Sequence, residues 1–427
     1  MSSKKNKSPW KVFAAIVLAF IVGNLTGTKA EIFGISYYSI FDLLGTLFIH
    51  ALTLIVVPLV LSSIISGISR IGGDASFKKI GLKTLAFYII TSLSAVLIGL
   101  LCVHIFQPGH SEALKQSLES QNLPSIGAQL EAHEAMGISQ LLLSIIPSNI
   151  LDALARGNML GLIFFGLLFG YALSKVPSST SQTLQQFFQG LFQTMIQITH
   201  IIMKCLPLGV FCLVAKVAAT TGYKSLASLG VFFITVLIGL LLFSLVVLPL
   251  FLKYIGKLNP ITHFKAMAPA LITAFSTSSS SATLPITIEC VEKRAGVSNR
   301  ICSLVVPLGN SLNMAGSALY ECVGALFIAQ VYGIELTFSA QVIFVLLALV
   351  TSMGVAGIPA ASLVAIVVIL KAFGLPPEGI ALFMAVDRIL DMCRTTVNVL
   401  SDTCCAVLVA KSEGEPHILT KKDFSDL

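Results

Sequence analysis

Asp387-Arg388-Ile389-Leu390-Asp391-Met392-Cys393-Arg394-Thr395-Thr396-Val397-Asn398-Val399-Leu400-Ser401-Asp402 carries five formal charges inside an otherwise greasy chain. Wound at 3.6 residues per turn, Asp387, Asp391, Arg394, Asn398 and Asp402 follow one another at helical steps and form one polar stripe. Ile389, Leu390, Val397, Val399 and Leu400 occupy the other faces. Carboxylates and a guanidinium on a helix among lipid or packed apolar helices are costly, so the stripe reads as a functional site.

The surroundings support that setting. Of 427 residues, 56% are hydrophobic and only 11% charged, and the mean hydropathy is +0.92. A soluble chain would carry about a quarter charged residues. Long apolar runs predict an all-α polytopic membrane protein in contact with the lipid bilayer, not a barrel of short alternating strands. The nine cysteines and seven histidines show neither disulfide nor zinc-site spacing. Most of the net charge of +7 falls in short loops and termini, where it orients the chain in the bilayer and carries no argument for nucleic acid. The first apolar run, Val12–Val22, lacks a clean small-residue cleavage site and reads as the start of a spanning helix.

Working outward, the pattern predicts helices at about Trp10–Thr26, Tyr38–Ile68, Thr84–Phe106, Phe187–Ala219 and Leu226–Tyr254. A fourth region, Leu141–Leu173, is broken by Pro147 and Arg156-Gly157-Asn158 into shorter pieces. The acid-rich segment Gln107–Ser139 is expected outside and the basic N-terminus inside. In the C-terminal third, Met267–Cys290 is apolar at both ends, with Ser276-Thr277-Ser278-Ser279-Ser280-Ser281-Ala282-Thr283-Leu284-Pro285 at its centre. This predicts two half-length helices meeting at a polar tip, since open backbone at membrane depth must be buried in protein or line a wet cavity. Ile301–Val331 is a span interrupted around Gly309–Ser317, and Phe344–Leu370 repeats the hairpin pattern around Ser352–Ser362. The charged helix, about Ile380–Ala410, closes the order. Paired interrupted segments point to a transporter site at the membrane midplane.

The chemistry can be read in part from residue types. Arg394 is a permanent cation whose planar fork matches a carboxylate. Asp391, one turn away, can accept from an ammonium, so the pair suits a zwitterion. The Ser280 region and Ser362 can add hydroxyls at half-helix N-termini, which favour anions. Asn313, Asn398 and Asp402, with backbone carbonyls near Gly309, are hard oxygen ligands for a small cation such as Na+. The competing structural readings are an intramembrane salt bridge for Arg394 and Asp391, an interhelical hydrogen bond for Asn313 and a paired structural carboxylate for Glu321. Arg388 is left between a second charge at the pocket, a partner for Asp387 and a snorkelling side chain.

Four motifs, Ser278–Pro285, Asn313-Met314-Ala315-Gly316-Ser317, Gly354-Val355-Ala356-Gly357-Ile358-Pro359 and Asp391–Asn398, resemble in order the signatures of the dicarboxylate/amino acid:cation symporter family, the glutamate transporters and their bacterial homologues. The resemblance implies eight transmembrane helices and two re-entrant helical hairpins, the glutamate-transporter fold, assembled as a homotrimer. It divides the chain into scaffold helices one and two (1–83), transport-domain helix three with an extracellular loop (84–140), scaffold helices four and five (141–224) and transport-domain helix six (225–260). The transport core of hairpin one, helix seven, hairpin two and helix eight (261–412) follows, then a cytoplasmic tail (413–427).

By the same resemblance, Arg394 would hold the substrate side-chain carboxylate and Asp391 the amino group. Thr395 and Asn398 would add hydrogen bonds, and Ser280, Met314, Ser317, Ile358 and Ser362 would line the pocket. One sodium site resembles Gly309, Asn313, Asn398 and Asp402. A second resembles backbone oxygens around Ser311, Met314, Ser352, Met353 and Val355. A third resembles Tyr88, Thr91 and Ser92 with Asn313 and an aspartate; here Ala315 stands in the place of that aspartate. Glu321 resembles a glutamate linked to proton coupling in the animal transporters.

The expectation is therefore a secondary active symporter, not an enzyme. It would import an acidic amino acid, glutamate or aspartate, with Na+ and H+ as coupling ions, by an elevator motion. Short loops and a short tail favour a bacterial inner membrane, multi-pass. The rivals are a proton-driven C4-dicarboxylate or neutral amino acid carrier, and a membrane-embedded serine hydrolase. The last lacks a G-x-S-x-G elbow.

Overall fold

The structure is a computed structural model of the whole chain and describes residues 10–32, 34–69, 75–110, 146–156, 159–221, 224–334, 337–354 and 361–420. Val355, Ile358 and most of the expected external segment lie outside these residues. Apart from a two-residue antiparallel pair, Glu31–Ile32 with Ile35–Ser36, the described chain is built from helices.

The N-terminal helices are α1 (Trp10–Thr26), α2 (Tyr37–Leu54) and α3 (Val56–Ser69). The predicted single helix over Tyr38–Ile68 is thus broken at Ile55, and Pro58 falls in the first turn of the restarted helix, where its missing N–H leaves no gap. The next helix, α4, spans Ala75–Phe106 and begins nine residues before the predicted Thr84, so Lys78, Lys79 and Lys83 lie on it. Its two faces differ. Thr84, Tyr88, Thr91 and Ser92 are buried, whereas Leu82, Ile90, Leu97, Leu101 and Ile105 are exposed. Polar side chains inside and apolar ones outside is the arrangement expected when the surrounding medium is lipid.

Helices α5 (Ile150–Arg156) and α6 (Met159–Leu173) divide the fourth region as expected. The predicted fifth helix starts earlier and is interrupted. It comprises α7 (Ser178–Ile202), a 3-10 turn at Met203–Cys205 and α8 (Leu206–Thr221), with Pro207 in the first turn of the restart. Helix α9 (Lys224–Leu242) continues through π-helical turns at Phe243–Val247 and Phe251–Ile255 on either side of Pro249, whose absent N–H the wider turns accommodate.

The serine-rich segment forms two helices, α10 (Pro260–Thr277) and α11 (Ser280–Glu289), packed against each other. Asn259 caps α10 by accepting from the amides of Ile261 (2.9 Å) and Thr262 (3.4 Å), with Pro260 at the first helical position. The turn is made by Ser278, left-handed at φ 51°, and Ser279, whose hydroxyl accepts from Ala282 N at 3.2 Å and caps α11. A left-handed non-glycine residue costs about 1–2 kcal/mol, and here it reverses the chain within a single turn.

Helices α12 (Asn299–Leu312) and α13 (Ala315–Val331) are one interrupted span, broken at Asn313 and Met314, which leave helical geometry. The second apolar pair is α14 (Phe338–Gly354) and α15 (Ala361–Ala372). The charged helix α16 runs Met384–Ser412, beginning four residues later than predicted because Pro376 and Pro377 hold Pro377–Leu382 as a 3-10 stretch. Three stretches among the described residues, Lys79–Phe106, Leu229–Ile255 and Asn299–Val331, are long and apolar enough to cross a membrane.

The helices pack in two sets. In the first, α1 and α2 lie on α8, and α3 lies on α6 and α7. Gly23 brings α1 against Ala215 and Ala218, where a Cβ would meet Ala215 O at 2.5 Å. In the second set, α13 lies against α4, α14, α15 and α16, while α10 and α12 also lie on α16. The chain after α16 folds back onto this second set. Lys83 pairs with Glu413, Glu415 accepts from Ser298 N at 3.0 Å, and Leu419 N donates to Ala295 O at 2.8 Å.

Candidate functional site

The polar stripe of α16 faces inward along its length: Asp387, Asp391, Arg394, Asn398 and Asp402 are all buried. It meets different partners at successive levels.

At the first level Arg394, 1% exposed, is the hub. Its Nη1 donates to Asp387 Oδ1 at 2.9 Å, and its Nη2 lies 2.9 Å from Asp391 Oδ1. The guanidinium carbon sits 4.2 Å from the centroid of the Tyr320 ring, and the Tyr320 hydroxyl donates to Asp387 Oδ1 at 2.7 Å. A guanidinium gains from an aromatic face where water is excluded. Arg388 Nη1 donates to Asp391 Oδ2 at 3.3 Å. The partner of Arg388 is thus Asp391, not Asp387.

One turn further, Asn398 supplies a cap to another helix. Helix α13 restarts at Ala315 with no side-chain cap of its own. Asn398 Oδ1 accepts from Gly316 N at 2.8 Å and Ser317 N at 3.2 Å, and its Nδ2 donates to Ser317 Oγ at 3.0 Å and contacts Met314 Sδ at 3.3 Å. Gly316 is required here, because a Cβ would meet Arg394 O at 2.7 Å. Thr395, three residues before Asn398 on α16, is buried.

At the third level, Asn313 Nδ2 donates to Asp402 Oδ1 at 2.8 Å and to Ser401 Oγ at 3.1 Å. Its Oδ1 accepts from Thr91 Oγ1 at 3.1 Å and Ser92 Oγ at 3.3 Å. Tyr88 donates to Val305 O at 2.6 Å. Gly309 lets α12 approach so closely that a Cβ would lie 2.6 Å from Asp402 Oδ1 and 2.8 Å from the Tyr88 hydroxyl oxygen. Asp402 is 3% exposed, and the ion pairs among the described residues include none to it. The structure therefore brings Gly309, Asn313 and Asp402 together with Tyr88, Thr91 and Ser92, and places Asn398 with the helix cap. The donor set is hard, neutral oxygen around one carboxylate, which fits a small cation.

The hairpin residues complete the inventory. Ser278 and Ser280 hydroxyls are buried without hydrogen-bond partners at the tip of α10 and α11, and α11 packs on α16. Ser311 is half-buried on the last turn of α12 and Met353 half-buried on α14, while the Ser352 hydroxyl donates to Leu349 O at 2.8 Å. Glu321, fully buried on α13, accepts from Thr351 Oγ1 at 2.9 Å; its Oε1 has no partner, and buried Ser362 lies near. Sequence reasoning left Tyr320, Thr351 and Ser401 out of the site and kept Asp387 only as part of the stripe. Of these, Asp387 alone had a signal, its place on the stripe's helical repeat.

Comparison with known proteins agrees with this architecture. The sequence model of the family described as "Sodium:dicarboxylate symporter family" matches residues 9–412. The chain is 35% identical over 415 residues to the Escherichia coli (strain K12) protein named proton/glutamate-aspartate symporter, covering 97% of this chain and 94% of the relative. It is 35% identical over 406 residues to the Bacillus caldotenax proton/sodium-glutamate symport protein, covering 95% and 94%. It is 32% identical over 464 residues to excitatory amino acid transporter 3 of Mus musculus, covering 97% and 86%. A match of this extent, over the helices that build the buried stripe, means that the chain belongs to the sodium:dicarboxylate symporter family.

Proposed function

We propose that the protein is a secondary active symporter that carries an acidic amino acid, glutamate or aspartate, with Na+ and H+ as coupling ions. The family is one of transporters, which removes the serine hydrolase from consideration. The observation that carries the reading is the fully buried Arg394 beside Asp391 on one turn of α16. A planar cation and a carboxylate at that spacing match the carboxylate and ammonium of one small zwitterion. Arg394 takes the substrate side-chain carboxylate and Asp391 its amino group, exchanging contacts now made within the protein. Ser280, Ser362, Thr395 and the capped start of α13 around Met314 and Ser317 supply further donors, and the positive end of that helix favours an anion.

Sodium enters this reading as co-transported cargo. Asp402 is a carboxylate inside the protein with amide and hydroxyl neighbours, and a cation there would balance it. Coupling follows from shared parts: Asn313 belongs to the Asp402 level, and three residues later Gly316 belongs to the level capped by Asn398. Occupying either level orders the same break between α12 and α13. Backbone oxygens around Ser311, Met314, Ser352, Met353 and Val355 would serve a second cation, and Glu321 a proton.

The set containing α1–α3 and α5–α8 serves as scaffold, and the set around α4, α9 and α10–α16 moves as the transport unit, in a fold of eight spans and two re-entrant hairpins. The stripe Gln182, Gln186, Gln193 and Gln197 is exposed on α7. Uncharged amides are poorly suited to hydrocarbon and well suited to hydrogen bonds with another copy, which supports self-association, here as a homotrimer; the Escherichia coli relative supports a bacterial inner membrane.

The test is uptake of labelled glutamate and aspartate into liposomes under separately imposed Na+ and H+ gradients. Concentrative uptake of at least one of the two, dependent on a cation gradient, is expected. No accumulation of either under any gradient overturns the proposal.

A further inference from the structure

We infer that Arg388 sets how strictly this site demands an ammonium group, by standing in for that ammonium on Asp391. The inference rests on the reading of Asp391 as the ammonium acceptor and adds a specificity-determining residue to it.

The geometry begins with charge. The first level of the stripe holds two carboxylates, Asp387 and Asp391, and two guanidinium groups, Arg388 and Arg394. Arg394 lies 2.9 Å from both carboxylates. The second oxygen of Asp391, Oδ2, faces Arg388 Nη1 at 3.3 Å. Asp391 therefore meets a cation on each side and is balanced by the protein itself. Arg388 is not locked there. Its contact is long for a charge-assisted hydrogen bond, which usually falls near 2.7–2.9 Å, and its side chain keeps 19% exposure. Its Nε is also buried with no hydrogen-bond partner. A buried guanidinium N–H without an acceptor is costly, and a carboxylate is the acceptor it matches best.

Two ligand chemistries then use the same residues differently. An acidic amino acid brings an ammonium that competes with Arg388 for Asp391. When the ammonium takes Oδ2, Arg388 is released with its fork open to the ligand's α-carboxylate. A four-carbon dicarboxylate without an amino group brings no competitor. Arg388 then stays on Asp391, so that carboxylate is not left unpaired beside a dianion. A site holding Asp391 and Arg394 alone would reject the second ligand, because burying an uncompensated carboxylate next to two more is strongly unfavourable. With Arg388 present, that ligand class is accepted.

The experiment is competition of labelled aspartate uptake in liposomes by succinate, which is aspartate without its amino group. The parent and the variants Arg388→Gln and Arg388→Lys are compared. The readout is the ratio of succinate's inhibition constant to aspartate's apparent KM within each protein, which a uniform loss of folding or expression does not move. Succinate is expected to compete in the parent, the ratio to rise by about tenfold or more in Arg388→Gln, and Arg388→Lys to stay near the parent. Absence of succinate competition in the parent, at a hundredfold excess over the aspartate KM, overturns the inference without any variant. An unchanged or lower ratio in Arg388→Gln does the same. Failure of the parent to take up aspartate or glutamate at all is a different result, which removes the transporter reading itself.

Discussion

Two levels of the same helix solve the burial of carboxylates in opposite ways. Near the start of α16, Asp387 and Asp391 are matched by Arg394 and Arg388, and a tyrosine face and hydroxyl complete the cluster. Two to four turns later, Asp402 is met by Asn313, which is held in turn by Thr91, Ser92 and Ser401. The first level carries its own counter-charge and is suited to exchanging one ion pair for another with a charged ligand. The Asp402 level offers oxygen and amide dipoles around a negative charge and is suited to taking up a cation. In the proposed function a zwitterion reader and a cation site would need no separate domains; steps of three and four residues along one helix would suffice.

The largest expected effect comes from Arg394→Ala, which strips the cation from both carboxylates of the first level. Breaking a buried pair by removing one partner costs about 3–5 kcal/mol. Uptake should fall to background at every Na+ concentration, and the thermal midpoint of the purified protein should drop. Uptake close to the parent's would break the distinction between the levels. Next is Asp402→Asn, which keeps the side-chain shape and removes the charge at the Asp402 level. Titrating Na+ against labelled aspartate uptake should show an apparent Na+ affinity weaker by about tenfold or more, the effect expected when a hard cation loses its carboxylate. An unshifted Na+ curve would move the cation away from Asp402.

Tyr320→Phe sharpens the first level. The ring stays over Arg394 while the hydrogen bond to Asp387 is lost, at a cost of about 1–2 kcal/mol. The thermal midpoint should fall modestly and the apparent aspartate affinity by less than in any charge substitution. The smallest effect lies outside both levels. Lys83, beside Glu413 at the end of α16, holds that carboxyl below its usual range. A depressed folded pKa contributes stability that is fully present above the unfolded value of about 4.3 and is lost as pH falls through the folded value. Lys83→Met should leave the thermal midpoint at pH 7 slightly lowered and flatten its decline in the acid range, read from unfolding curves between pH 3 and 7.

Much of the site was legible because one helix carries it. The spacing of Asp387, Asp391, Arg394, Asn398 and Asp402 places them on one face whatever the rest of the chain does, and all five are buried. The serine run and the Gly309–Ser317 interruption were legible as breaks because small polar residues and prolines do not continue a buried apolar helix. The helix limits were harder. The break at Ile55, the 3-10 turn at Met203–Cys205 and the late start of α16 at Met384 depend on where a proline's missing N–H can be accommodated, and the proline alone does not say on which side the helix stops.

Composition and periodicity by themselves determined that this is a helical membrane protein, that its charged stripe faces inward and that its serine-rich segment breaks into two helices. Only the tertiary structure decided the partners. Tyr320 lies 67 positions before Asp387 and Thr351 lies 30 after Glu321, and no local pattern links residues so far apart. Asn398 became the cap of another helix because α13 restarts beside it, whereas the flanking of Asp391 by Arg388 and Arg394 is local to α16. Periodicity fixes the direction of a side chain on its own helix, whereas the identity of the opposing side chain is set by packing between helices, where one buried charge decides the position of the next.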